Sequence, residues 1–134
     1  AGIVEPLEPF EVKENGRPEL QAGEIELKVE RGLYLYKKDE RWMEDGAAIA
    51  TSHRILWIWT PQHKPPVRLA LPLRHVSDAL DRSAFMKTNK LCLLLRAHPD
   101  LFFQLGFPKG SRDEFGRVVR KALAAREWER PAAA

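Results

Sequence analysis

The period of the apolar residues changes once along this chain, near Gly110, and that change limits the fold more than any other feature. After it, Ser111 stands three residues before Glu114 in the S-x-x-E order of a helix capping box. Phe115, Val118, Val119, Ala122 and Leu123 then recur at the spacing of one helical face. The pattern predicts one amphipathic helix of about five turns from about Ser111 to Glu129. Trp128 closes its apolar stripe, and Arg117, Arg120 and Lys121 make the opposite face basic.

Before Gly110 every apolar segment is of strand length. Glu24 to Glu30 alternates strictly, which places Ile25, Leu27 and Val29 on one face of a half-buried strand. Gly32 bends it, and Leu33 to Tyr36 resumes the extended pattern with the tyrosine tips near the surface. Asp45-Gly46 predicts a turn ahead of Ala47 to Thr51, and Ser52-His53 a short connection to Arg54 to Trp59, so that the two segments form a hairpin. Thr60 to Pro66 holds three prolines and reads as a loop. Arg68 to Leu71, Val76 to Leu80, Leu91 to Leu95 and Leu101 to Phe107 follow as strands, the last with Leu101, Phe103, Leu105 and Phe107 on one face. Seven strands and one terminal helix give a mainly β chain with the element order of a pleckstrin-homology-like domain: a bent sheet or barrel capped by one C-terminal helix. A lipocalin-like fold or a sandwich shares the early pattern, and the helix favours the first arrangement.

The boundaries follow from composition. Residues 1–22, with Pro6, Pro9 and Pro18, are expected to be an extended acidic lead-in, residues 23–130 the domain and 131–134 a tail. Of the formal net charge of +3, residues 1–30 carry three Lys/Arg against eight Asp/Glu, which leaves +8 for the body. A basic body suits phosphate-bearing partners, although a merely solvated basic face has the same composition. The single cysteine, Cys92, lies in the apolar run Leu91 to Leu95, so it reads as a small core hydrophobe in a reducing compartment. Neither a disulfide framework nor a cysteine zinc site can be built from one thiol. No stretch of about 18 apolar residues offers a membrane span, and the N-terminus lacks a signal-peptide pattern.

Four histidines, His53, His63, His75 and His98, lie in no catalytic or metal-binding spacing, and the carboxylates near Asp39 to Asp45 read as solvated loop. No glycine-rich loop joins a strand to a helix, so no enzyme class and no cofactor is indicated. Trp57 and Trp59 share a strand face with Ile55; with Leu56 and Ile58 on the other side they read as a strand buried on both faces rather than a platform for bases. Nucleic acid is therefore not an expected partner.

One segment combines charge with exposed apolar groups. Arg82 to Lys90 joins two strands and carries Arg82, Lys87 and Lys90 around a Phe85-Met86 tip. Cations beside an apolar tip suit a lipid headgroup, since they pair with phosphates while the tip enters the acyl region. A solvated hairpin whose Phe85 folds back to the core is the alternative.

Gly16-Arg17-Pro18-Glu19-Leu20, the run Asp45 to Trp57 with Thr51-Ser52-His53-Arg54 at its centre, and the ending Arg126-Glu127-Trp128-Glu129 together resemble the GLUE domain of the vacuolar protein sorting 36 subunits of ESCRT-II, over residues 16–130. The resemblance implies a split pleckstrin-homology fold that binds and does not catalyse. It implies a cytoplasmic location, peripheral on the endosomal membrane, with 3-phosphoinositides such as phosphatidylinositol 3-phosphate, ubiquitin and other ESCRT subunits as partners. Lys87-Thr88-Asn89-Lys90-Leu91 is similar to the family's basic-x-x-basic lipid motif, with lysines where some members have arginines. Some members hold ubiquitin on inserted zinc fingers; one cysteine rules that out here, which leaves the domain's own surface, with Val67, Leu69 and Phe85 as candidates. A pleckstrin-homology-like protein-interaction domain without lipid binding is the rival reading.

Overall fold

A computed structural model describes residues 5–83 and 89–131. Its strands are β1 (Glu8–Pro9), β2 (Glu26–Lys37), β3 (Glu40–Thr51), β4 (Arg54–Trp59), β5 (Val67–Pro72), β6 (Val76–Arg82), β7 (Asn89–Leu95) and β8 (Phe102–Phe107), followed by one helix, α1 (Arg112–Ala125). They form one antiparallel sheet in the order β1-β5-β4-β3-β2-β8-β7-β6. Two meanders, β2 to β5 and β6 to β8, meet where Tyr34 to Lys37 pairs with Phe103 to Gly106. The fold is mainly β, an open bent sheet closed by one helix, as the sequence predicts. The seven expected strands are joined by the two-residue β1.

The core lies in the concave face of the sheet. Leu35, Trp57, Leu71, Leu93, Phe103 and Leu105 pack there, and α1 lays Phe115, Val119 and Ala122 over them. Phe103, Leu105 and Phe107 share the buried face of β8, as their alternation requires, while Leu101 is only half-buried just before it. Each fully buried large side chain stabilises by about 1.5–3 kcal/mol, so this layer provides most of the driving force.

The convex face of β3, β4 and β5 is covered as well. Phe10 packs with Ile49, Leu56 and Ala70, and Val12, Val29 and Ile58 border the cluster. β4 is thus buried on both faces, as its unbroken apolar run predicts. The N-terminal segment provides the cover, turning back at Lys13 to Arg17 so that Val12 bridges Pro18.

Four expectations need correction. Asp45-Gly46 is not a turn and Asp39 to Asp45 is not all loop: β3 runs unbroken from Glu40, the chain reverses at Lys38-Asp39, and Asp45 (φ 58°) marks a bulge. Gly46 is required because the Trp57 ring lies across it; a Cβ there would stand 2.3 Å from the ring. Ile25, Leu27 and Val29 do not share a buried face: β2 shifts register between Glu26 and Lys28, so Val29 joins the convex cluster while Ile25 and Leu27, 58% and 42% exposed, lie opposite Val118 and Ala122 of α1. Ser111 forms no side-chain cap and sits in the left-handed region at φ 68°. Finally, α1 stops at Ala125, four turns rather than five, because Arg126 is also left-handed (φ 50°). Trp128 reaches the core from a 3-10 turn over Glu127–Glu129.

Candidate functional site

The β6–β7 hairpin places Arg82 directly opposite Lys90 at its mouth. Both cations lie over aromatic rings: Lys90 Nζ is 4.1 Å from the Tyr36 ring centre, and the Arg82 guanidinium is 5.1 Å from that of Phe102. Arg82 also approaches Asp39 at 4.0 Å, at the turn between β2 and β3. Lys90 has no carboxylate within 4.0 Å among the described residues. The tip itself, with Phe85, Met86 and Lys87, lies outside the described residues.

A group outside the sequence candidates fixes this mouth. Arg112, at the start of α1, donates from Nη1 to the Arg82 carbonyl at 2.9 Å, to Ser83 Oγ at 3.1 Å and to the Lys90 carbonyl at 3.3 Å. Its Nε donates to Asp113 at 2.6 Å. An arginine in the first helical turn opposes the helix dipole, and that mismatch was the available signal that Arg112 is held by something outside its own helix. Arg112 and Arg117 also line a concave surface with Asn89, Ser111, Asp113 and Glu114.

The residues that carried the resemblance have another task. Thr51, Ser52, His53 and Arg54 are all buried. Arg54 donates through Nε and Nη2 to the two oxygens of Glu24 at 2.9 and 2.8 Å, and Nη2 also donates to the Glu19 carbonyl at 3.2 Å. Thr51 Oγ1 donates to Glu24 at 2.6 Å, and Ser52 Oγ accepts from the Ile25 amide at 3.0 Å and lies 2.8 Å from His53 Nδ1. The Phe10 ring stands 5.9 Å from the Arg54 guanidinium. This motif locks the β3–β4 turn to the junction between the N-terminal segment and β2; it is a structural node rather than a binding site.

Among the other candidates, Val67 is half-buried at the start of β5, whereas Leu69 is 6% exposed and belongs to the core, so it offers no surface to a partner. Tyr36 is buried rather than tipped outward. Cys92 is fully buried, and burial pushes its thiol up despite the charge of Arg82. No group of three or more His, Cys, Asp or Glu side chains gathers as a metal site among the described residues. No described helix is long and apolar enough to cross a membrane.

An open sheet closed by one helix, with a basic hairpin mouth beside the helix start, defines a pleckstrin-homology-like binding domain. Residues 11–97 match the family described as vacuolar protein sorting protein 36, Vps36, of ESCRT-II, and the chain belongs to that family. A solved "Vps36 N-terminal PH domain" superposes with TM-score 0.77 at 24% identity, over 92% of this chain and 96% of that one. A chain of "The 8S snRNP Assembly Intermediate" superposes with TM-score 0.56 at 12% identity, over 96% of each. Both likenesses are likenesses of fold. No curated protein matches the chain.

Proposed function

We propose that this ESCRT-II module binds phosphoinositide-bearing endosomal membrane through the β6–β7 hairpin and performs no catalysis. Arg82, Lys87 and Lys90 pair with headgroup phosphates while Phe85 and Met86 enter the acyl boundary. The carrying observation is the placement of Arg82 opposite Lys90 at one hairpin mouth, anchored from α1 by Arg112. Lys90 is held over Tyr36 without a carboxylate partner among the described residues, which leaves its charge free for phosphate. The module docks peripherally from the cytosol and brings the other ESCRT subunits with it.

Each cation near an anionic surface contributes about 1 kcal/mol to membrane binding. Replacing Lys87 and Lys90 together by alanine is therefore expected to weaken sedimentation with 3-phosphoinositide vesicles by about an order of magnitude. The melting temperature should fall only slightly, since among the described residues the interaction lost is the cation–π contact of Lys90 to Tyr36, worth about 0.5–1 kcal/mol. Unchanged vesicle binding by the folded double variant refutes the site and favours a protein-interaction domain without lipid binding.

Ubiquitin is the second proposed partner, bound weakly through the domain's own surface. Val67, packed against the core but only half-buried, keeps part of its side chain at the surface for this contact, and Leu69 does not. An NMR titration with ubiquitin that leaves the Val67 region unmoved removes this part of the reading.

A further inference from the structure

We propose that the groove between the first half of β2 and the second half of α1 is a docking site for an extended, acidic and leucine- or phenylalanine-bearing segment of a partner protein. Three observations converge on it. The first is exposed apolar surface in a concave setting. Ile25 and Leu27 are 58% and 42% exposed, and they face Val118, Ala122 and Ala125 across the groove. The two alanines keep the helix wall low, so the groove accepts a ridge of side chains. A concave floor suits an inserted peptide, whereas a bilayer is met by protruding apolar tips.

The second observation is an open strand edge. On the side away from β3, β2 pairs with β8 only from Tyr34 onward. Among the described residues no strand pairs with that edge between Glu26 and Leu33. An extended segment laid in the groove adds to this edge by main-chain hydrogen bonds while alternate side chains enter the apolar floor.

The third observation is charge. Lys121 lines the groove. It has no carboxylate within 4.0 Å among the described residues. Glu127, which also lines the groove, is matched by Arg130 at 3.4 Å, and beyond the groove Lys28 stands between Glu114 at 2.9 Å and Glu30 at 3.6 Å. Lys121 is thus an unmatched cation beside an apolar floor, and carboxylates flanking a large apolar side chain are its complement. None of these groups belongs to the Arg82–Lys90 hairpin.

The test is an amide-resolved NMR titration of the whole chain with a short synthetic peptide of alternating leucine and glutamate, beside a counterpart with lysine for glutamate. The glutamate peptide is expected to shift amides of Ile25 to Glu30 and Val118 to Ala125, with affinity falling as salt is raised. Leu27→Asp and Lys121→Glu are each expected to weaken binding about tenfold at an unchanged melting temperature. Should Leu27→Asp melt early, Ile25→Asp, at the more exposed position, carries the same expectation. The proposal is overturned by silence of the groove amides, by equal binding of the lysine peptide, or by undiminished binding in a folded variant. Groove shifts that appear with protein concentration alone overturn it in favour of a second copy. Loss of vesicle binding in Leu27→Asp without any peptide response overturns it in favour of a membrane surface.

Discussion

Glu24 and Arg54 form an ion pair that water scarcely reaches, with side chains 0% and 6% exposed. Burial pushes the Glu24 carboxyl up, but the hydrogen bonds from Arg54, the Gln21 amide and Thr51, with the Arg54 charge, outweigh it and hold the group below its ordinary value of 4.5. A carboxyl whose folded-state pKa is depressed adds stability that is present above the unfolded value and lost as pH falls through the folded one. Glu24→Gln is expected to cost about 3 kcal/mol at neutral pH, since it leaves Arg54 buried without its counter-charge. It should also flatten the acid limb of a stability–pH curve below the ordinary carboxylate range. A melting series that shows the same acid slope in both proteins refutes the assignment. In the sequence, Thr51-Ser52-His53-Arg54 announces a family and a turn, but Glu24 lies 30 positions from Arg54 and nothing local in the chain joins them.

At the scale of elements, the terminal helix was plain from its period, and both of its ends were set by backbone conformations that periodicity does not encode. Ser111 has the residue type of a cap but a left-handed backbone, where a side chain costs about 1–2 kcal/mol. Ser111→Gly is therefore expected to raise stability by about 1 kcal/mol. Ser111→Ala should change it by less than about 0.5 kcal/mol, whereas loss of a true cap costs about 1 kcal/mol. Denaturant midpoints of the two variants decide between strain and capping. Elsewhere, alternation found the strands but not their faces or lengths. The register shift in β2 put Val29 on the opposite face from Ile25 and Leu27, and the charged start of β3 resembled a loop because Met43 is the one buried residue between Glu40 and Asp45. At the hairpin mouth Arg82 and Lys90 could be read from the sequence; Arg112 could not be placed there, because it comes from a helix 22 residues beyond Lys90.

For the whole molecule, the N-terminal segment is a working part of the fold. Its prolines forbid a central strand, and the structure accordingly gives it a two-residue edge strand and an aromatic anchor. Phe10, 6% exposed, covers Leu56 and Ala70, so Phe10→Ala is expected to cost about 3 kcal/mol and to uncover the convex face of β4 and β5. Calorimetry and the binding of a hydrophobic dye check both; a variant that melts with the parent shows the cover to be dispensable. The acidic beginning and basic body, visible in composition, are brought together at Glu24–Arg54, an acid of the first and a base of the second. The seam between the two meanders has a consequence in time. Tyr34 to Lys37 pairs with Phe103 to Gly106. A ribosome makes the first partner some seventy residues before the second, by the register of that seam. During synthesis the first meander therefore travels with one edge unpaired, and the domain closes only when its last strand emerges.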